Sequence, residues 1–322
     1  MKKDFPLLSI ISPCYNGEQY LGRFLDSVLC QDYPRIEFIL INDGSTDATQ
    51  RVVDAYTKRL TSALERFIYI RQENAGQAAA INQGLEIFQG DYLTWVDSDD
   101  FYPSANACSK RVEWLQKHPD YGVVCCRAMI VAEKYIEKTI GELRCRKTAD
   151  HKKFFENLVL GKNSVTTGGV YMVSRKSFLK CIPERKIAVY PSIGQNWQLL
   201  LPITYNSKIG FLNDILYTYV YRDNSHSHAY KSCEDRLVEV EDRYRALKDI
   251  LVNIPVKKEY RDKLIRIIKY NQKKELVRLS VQNNWKIPTE QEEQSVCDCA
   301  KLEIYRNVLK AKRRIRNRIK RA

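Results

Sequence analysis

Asp97-Ser98-Asp99-Asp100 directly follows the apolar run Tyr92-Leu93-Thr94-Trp95-Val96. Carboxylates this close repel one another unless a cation sits among them. An oxygen-only ligand set selects a hard ion, Mg2+ or Mn2+, which is usually shared with a substrate phosphate. Three other apolar runs end in the same polar manner. Residues 7–12 lead into Pro13-Cys14-Tyr15-Asn16-Gly17, and 36–41 into Asn42-Asp43-Gly44-Ser45-Thr46-Asp47. The run 67–70 is followed by Asn74-Ala75-Gly76-Gln77. Brought together, these tips make one pocket with an aromatic ring, amides and several carboxylates. Neither G-x-G-x-x-G nor G-x-x-x-x-G-K-[ST] occurs, so phosphate charge has to be met mainly by the metal.

The elements that would bring the tips together are legible from periodicity. Tyr20, Phe24, Leu25, Val28 and Leu29 form a helical stripe after the first run, whose strand is expected to end at Pro13. Thr46 or Asp47 can cap a second helix carrying Val52, Val53 and Tyr56 on one face. Further helices are expected over 78–88 and 104–117. Strands alternating with helices imply right-handed crossovers and a mainly parallel, doubly wound α/β sheet. Such a sheet binds ligands at the carboxyl ends of its strands. From 121 to 221 the pattern is mixed, with short strands at 165–167 and 171–173 and a helix over 196–206 interrupted or kinked at Pro202. Beyond 232 the chain reads as helical, broken near Pro255 and Pro288, with Leu237, Val240, Tyr244, Leu247 and Leu251 in register.

Composition narrows the class. The 322 residues are 44% hydrophobic and 29% charged, as in an ordinary globular protein, and no run of 18 apolar residues suggests a membrane span. The first apolar run is too short for a signal peptide, so a cytoplasmic location is expected. The ten cysteines include no C-x-x-C pair and read as reduced, mostly buried thiols, with Cys125 and Cys126 on opposite faces of a strand. The net charge of +14 is concentrated in 301–322, which holds ten bases against Glu303 alone. Val308, Ala311, Ile315, Ile319 and Ala322 put a narrow apolar stripe on that segment. The pattern suits an anionic membrane surface, RNA, an acidic partner or a solvated tail. Nucleic acid is disfavoured as the principal partner because the body carries little of the charge.

The run 8–21, Ile41-Asn42-Asp43-Gly44-Ser45-Thr46-Asp47, Asn74-Ala75-Gly76-Gln77 with Asn82-Gln83-Gly84, and the D-x-D with Asp100 together resemble family 2 glycosyltransferases. The resemblance covers roughly 5–228. It implies a Rossmann-like GT-A fold, a nucleotide-diphosphate sugar donor, Mn2+ or Mg2+, and inverting transfer. It divides the chain into a catalytic domain at 1–230 (nucleotide half 1–120, acceptor half 121–230) and a helical C-terminal region at 231–322 ending in the basic tail. By matched position, Pro13 and Tyr15 flank the base, Asp43 bonds uracil and Asn74 lines the base pocket. Asn16 and Gln77 fall in the same donor motifs. Asp97 faces ribose or metal, and Asp99 ligates the metal that bridges the diphosphate. Ser98 either donates to ribose or phosphate or fills the loop.

The second half departs from the family. Gly194-Gln195-Asn196-Trp197 stands where the family usually has Gly-Glu-Asp-Trp, whose Asp is the general base. An amide cannot take a proton at neutral pH. Either Asp100 takes over, or Gln195 and Asn196 only hold the acceptor, or transfer is lost. Trp197 either stacks on an acceptor sugar or packs in a core helix. The segment 221–228 matches the family's closing one, which implies that Arg222 and Ser225 approach the diphosphate; His226 or His228, with His226 favoured, is either an additional metal ligand or a solvated imidazole in a polar loop. The resulting expectation is a metal-dependent hexosyltransferase. It would use a UDP-sugar and a glycan or lipid-linked acceptor in cell-surface polysaccharide synthesis, peripherally on the inner face of the plasma membrane. The alternatives are a nucleotide-sugar-binding protein without transfer and a nucleic-acid binder acting through the tail. A nucleotidyltransferase would need a Gly-rich, basic loop after the first strand, and Tyr15-Asn16-Gly17-Glu18 is not one.

Overall fold

Alternating apolar runs and helical stripes build the first half of the chain. The order is β1 (Leu8–Cys14), α1 (Leu21–Leu29), β2 (Ile36–Asp43), α2 (Thr49–Ala63), β3 (Arg66–Gln72), α3 (Gln77–Ile87), β4 (Tyr92–Trp95) and α4 (Ala107–Lys117). In this computed structural model the described residues are 5–145, 147, 150–162, 164–191, 193–222 and 232–283. Ser225, His226, His228, Pro288 and the basic tail lie outside them. After α4 come β5 (Tyr121–Ala132), β6 (Tyr135–Leu143), α5 (His151–Val159), β7 (Tyr171–Ser174), α6 (Arg175–Cys181), α7 (Asn196–Asn206) and β8 (Lys208–Tyr221). The chain divides into two units, Met1–Ser225 and His226–Ala322. The second contains α8 (Cys233–Asn253), opened by a Ser232–Asp235 capping box, and α9 (Lys258–Asn283).

The sheet of the first unit runs β3-β2-β1-β4-β7-β5-β6, with β8 paired to β5. β3, β2, β1 and β4 are mutually parallel, while β7 runs antiparallel to both β4 and β5. β5 is long enough to pair β7 and then β6 along one edge, with β8 parallel along the other. Every residue of β1 and β2 is buried, as expected of parallel strands covered on both faces. The chain leaves β1 on one side for β2 and returns on the other as β4. This reversal is the switch point at which such sheets open a crevice.

Three local expectations need correction. β1 does not stop at Pro13 but continues to Cys14, with Pro13 opposite Ile41. β4 pairs β1 only as far as Ile11↔Trp95, so Pro13 sits where one edge of the strand is free and a missing N–H is tolerated. Residues 165–167 form no strand. They lead into a 3-10 turn, Gly168–Val170, and then β7. Crowding requires glycine in that turn, since a Cβ on Gly169 would lie 2.0 Å from the Tyr217 ring. α7 runs through Pro202 as one helix.

At the amino ends of the strands, one carboxylate is completely buried within an otherwise apolar run. Glu37 of β2 accepts from Ser9 Oγ (2.5 Å) and Gln89 N (2.8 Å) through Oε1, and from Arg66 Nη1 (2.7 Å) through Oε2. Ser9 Oγ in turn accepts from Gly90 N at 2.8 Å. The network joins β1, β2, β3 and the turn into β4. Arg66 is 39% exposed, so what the loss of Glu37 strands is the buried Ser9 hydroxyl and the Gln89 N–H, at about 1–3 kcal/mol for an unsatisfied buried donor. Glu37→Ala is expected to lower the unfolding free energy by about that amount in urea titration. A loss below about 1 kcal/mol, the scale of a surface pair, would remove Glu37 from the framework of the sheet.

Candidate active site

The first two strand tips are tied together by side chains that each satisfy the other's backbone. Asn16, with φ of 50°, donates its N–H to Ser45 Oγ (2.9 Å), and its Oδ1 accepts from Thr46 N (2.8 Å). Gly17 N donates to Thr49 Oγ1, and Ala48 N donates to Glu18 Oε2, both at 2.7 Å. Asp47 accepts from Thr49 N at 3.0 Å, so it braces the first turn of α2 although the helix begins two residues later. Tyr15 stands 47% exposed above this frame, and Pro13 is buried beneath it.

Asp43 organises the third tip. Its Oδ1 accepts from Gln72 Nε2 (2.7 Å) and Ala75 N (2.9 Å), and its Oδ2 from Gly76 N (2.9 Å). The turn fits only because Gly44 is glycine: its φ is 71°, and a Cβ there would lie 2.5 Å from Asn74 N. Asp43 Oδ2 carries a single bond and so retains acceptor capacity. Asn74 is exposed beside it.

The three carboxylates after β4 have three different sets of partners. Asp97 Oδ1 accepts from Gln77 Nε2 of α3 (2.6 Å) and, more weakly, from Gln195 Nε2 before α7 (3.4 Å). Burial, and then the neighbouring Asp99 charge, push its pKa up to about 7. Asp99 Oδ2 accepts from Arg222 Nε (3.0 Å) and Nη2 (2.5 Å), while its carbonyl accepts from Arg23 Nη2 (3.0 Å). Arg222 also lies 4.5 Å over the Tyr20 ring. Burial works against the Arg222 charge, but Asp99, Tyr20 and Glu133 together outweigh it and hold the guanidinium above its ordinary pKa. Asp100 is 1% exposed and accepts from Tyr217 Oη (2.6 Å) and Val220 N (2.8 Å) of β8. Burial, reinforced by Asp99 and Asp97, holds its pKa well above the carboxylate range. Asp100, the candidate base, is enclosed by these contacts, and its carboxylate anchors β8. Ser98 is also buried and lies against the Cys14 thiol.

Asn196 Oδ1 accepts from Trp95 Nε1 at 2.8 Å. Gly168 of the 3-10 turn lies directly under this bond: a Cβ there would be 2.1 Å from the indole nitrogen and 2.8 Å from Asn196 Oδ1. Gln195 is 1% exposed, and its Oε1 has no partner among the described residues. Trp197 is half-buried, with its indole N–H unpaired among the described residues. Sequence reasoning missed Trp95, Tyr217, Arg23 and Tyr20 as site-forming residues. Trp95 could have been suspected from its place two residues before Asp97. Tyr217 could not, because β8 holds three tyrosines with nothing to single out one.

A cation is compatible with these donors. Among the described residues no three His, Cys, Asp or Glu side chains converge on one point, so no all-protein cage exists. What is present is a surplus of negative charge, met at Asp99 by the Arg222 guanidinium. One or two carboxylates completed by substrate phosphates is the usual arrangement for Mg2+.

Residues 9–182 match the family model "Glycosyl transferase family 2". Glycosyltransferase GlyA of Streptococcus pneumoniae serotype 4 is 35% identical over 152 residues, which is 47% of this chain and 21% of that protein. An uncharacterized glycosyltransferase of Haemophilus influenzae is 41% identical over 115 residues, 36% of this chain and 45% of that one. The chain thus spans less than half the length of either relative. Among solved structures, S. aureus TarS 1-349 in complex with UDP-GlcNAc superposes with a TM-score of 0.63 at 18% identity, covering 85% of this chain and 81% of that one. Mannosyltransferase PcManGT from Pyrobaculum calidifontis, in complex with GDP-Man and Mn2+, gives 0.54 at 16% identity, covering 84% and 71%. The fold is that of the GT-A glycosyltransferases.

The contact beneath Trp95 is directly testable. Gly168→Ala forces the indole off Asn196, and overpacking of this kind costs about 1–3 kcal/mol. The variant is expected to melt several degrees lower, with altered near-UV circular dichroism from Trp95. An unchanged melting temperature and spectrum would show that the turn yields freely and that the Trp95–Asn196 bond is not fixed by it.

Proposed function

The chain belongs to glycosyltransferase family 2, and from that premise we propose that it moves a hexosyl group from a nucleotide-diphosphate sugar to an acceptor with inversion. The observation that carries this reading is the Asp97–Asp99 pair at the carboxyl end of β4, placed at the switch point of the sheet. Tyr15, Asn74 and the remaining lone pair of Asp43 suit a nucleobase, with Pro13 and Asn16 shaping the floor. Gln77, Asp97 and Ser98 suit the ribose and sugar side. Mn2+ or Mg2+ would be held by Asp99 with Asp97; His226, the further ligand expected from the sequence, lies outside the described residues. Such an ion, when bound, offsets the charge that develops on the diphosphate leaving group. Arg222 and Arg23 supply fixed positive charge at the same place, with Ser225 following in sequence. Gln195 and Asn196 can orient an acceptor by hydrogen bonds but cannot take its proton.

UDP-sugars are the first donors to test, an ordering supported by the TarS complex with UDP-GlcNAc. The acceptor is proposed to be a growing glycan or a lipid-linked one in cell-surface polysaccharide synthesis. Residues 301–322 are proposed to hold the chain on an anionic inner membrane surface, since no described helix is long and apolar enough to cross a membrane. Each base near such a surface is worth on the order of 1 kcal/mol. Deleting 301–322 is expected to abolish sedimentation with anionic vesicles at low salt. Equal pelleting of the full-length and shortened chains would remove the tail from membrane attachment.

A second reading, nucleotide-sugar binding without transfer, is favoured by one feature: amides stand at 195 and 196, and Asn196 Oδ1 is committed to Trp95. Thermal shift over a panel of nucleotide sugars with and without Mn2+, followed by product analysis, separates the two. A saturating donor at a hundredfold excess over Kd adds about 2.7 kcal/mol. Stabilisation without product under any acceptor would favour the second reading, and no stabilisation by any nucleotide sugar would defeat both.

Asp99→Ala provides the sharper test of the pair. In calorimetry with UDP, Mn2+ is expected to tighten binding to the native chain and to leave the variant unchanged. If Mn2+ tightens UDP binding to both equally, Asp99 does not hold the ion.

A further inference from the structure

Away from the strand-tip crevice, two thiols meet in the interior. Cys125 lies on β5 and Cys145 follows the end of β6, and their Sγ atoms are 3.0 Å apart. Both are buried, at 1% and 6% exposure. The hydroxyl of Tyr171, the first residue of β7, is 3.2 Å from Cys145 Sγ and donates to Val165 O at 2.6 Å. A cavity of about 310 Å³ reaches this pair and is lined by Cys125, Cys126, Cys145, Arg144 and Phe211 among others. None of these groups has a part in the proposed donor site.

We propose that Cys125 and Cys145 are an oxidisable dithiol, which a hydroperoxide entering this cavity converts into an intramolecular disulfide. The geometry sets the roles. Cys125 is fixed within β5, which is hydrogen-bonded along both edges at this residue. Cys145 lies in the connection between β6 and α5, outside any ladder. An S–S bond is about 2.05 Å long, so closure requires roughly 1 Å of approach, on the side of Cys145, which no ladder holds.

Cys145 is the attacking sulfur. The Cys125 thiol donates toward it, and the backbone at Val165 adds to this, so its pKa is held below the ordinary thiol range despite burial. Burial keeps the Cys125 thiol protonated. The Cys145 thiolate attacks the distal peroxide oxygen. The O–O bond breaks, the leaving hydroxide takes a proton to become water, and Cys145 becomes a sulfenic acid. Cys125 sulfur then attacks the Cys145 sulfur, the S–O bond breaks, and the thiol proton leaves with the hydroxyl as a second water. Two thiols and one hydrogen peroxide thus give one disulfide and two waters. The new bond spans a separation of 20 residues and closes the β6 excursion into a loop.

The test uses the full chain and hydrogen peroxide against a dithiothreitol control. The expected results are a loss of two hydrogens in intact mass and a peptide linking Cys125 to Cys145 in the non-reduced digest. The melting temperature should rise by roughly 5 °C, because a cross-link of this span constrains the unfolded chain. Cys125→Ser is expected to leave Cys145 as a sulfenic acid that dimedone traps. The proposal is overturned if peroxide modifies the exposed Cys30 while Cys125 and Cys145 both remain alkylatable after denaturation. It is equally overturned if the only disulfides found join two chains. The peptide map of the native chain decides the matter even if a variant does not fold.

Discussion

Three carboxylates within four residues, Asp97, Asp99 and Asp100, are delivered by one short strand into a largely buried place. Like charges at this spacing cannot all stay ionised in a low-dielectric setting unless each finds its own partner. The fold answers by spending a different element on each. Asp97 takes amides from α3 and from the residue before α7, Asp99 takes Arg222 just beyond β8, and Asp100 takes Tyr217 and a backbone N–H of β8. The electrostatic constraint is therefore also the device that docks the irregular second half of the first unit onto its regular first half. Phe101 extends the same junction by exchanging two backbone bonds with Thr218.

What was legible in the sequence follows from what is local. Apolar runs ending in polar tips gave β1 to β4, their parallel order and the convergence of Asn16, Asp43, Gln77 and Asp97, because these depend on strand period and crossover hand alone. Two kinds of feature were not legible. Some rest on where a neighbouring strand stops: Pro13 lies inside β1 because β4 has already ended at Trp95. Others rest on contacts between distant segments. Asp100 looks like any member of an acidic run until Tyr217, 117 residues later, closes on it. Glu37 reads as an interruption in an apolar strand until Ser9, Arg66 and Gln89 surround it. Cys125 and Cys145 carry no spacing signal, since only the hairpin of β5 and β6 brings them together.

The amides at 195 and 196 can be understood in the same electrostatic terms. The amino end of α7 is aimed at Asp97 through Gln195, and its first turn contains no acid. By itself a helix amino end favours an acid there by about 0.3–1 kcal/mol. A carboxylate at 195 would instead face Asp97 at hydrogen-bonding range, where two like charges about 4 Å apart repel by roughly 4 kcal/mol at an effective dielectric constant near 20. Repulsion outweighs the dipole several-fold, so a glutamine that donates to Asp97 is the more stable choice in a chain that already concentrates three acids here. Asn196 gains differently: its carbonyl accepts the Trp95 indole N–H, a donor that would otherwise be buried without a partner, at a cost of about 1–3 kcal/mol. An aspartate could accept the same bond, but it would add a further charge to the cluster. The departure from the family's acidic pair is therefore consistent with a site that has put charge balance around β4 ahead of a second anionic centre.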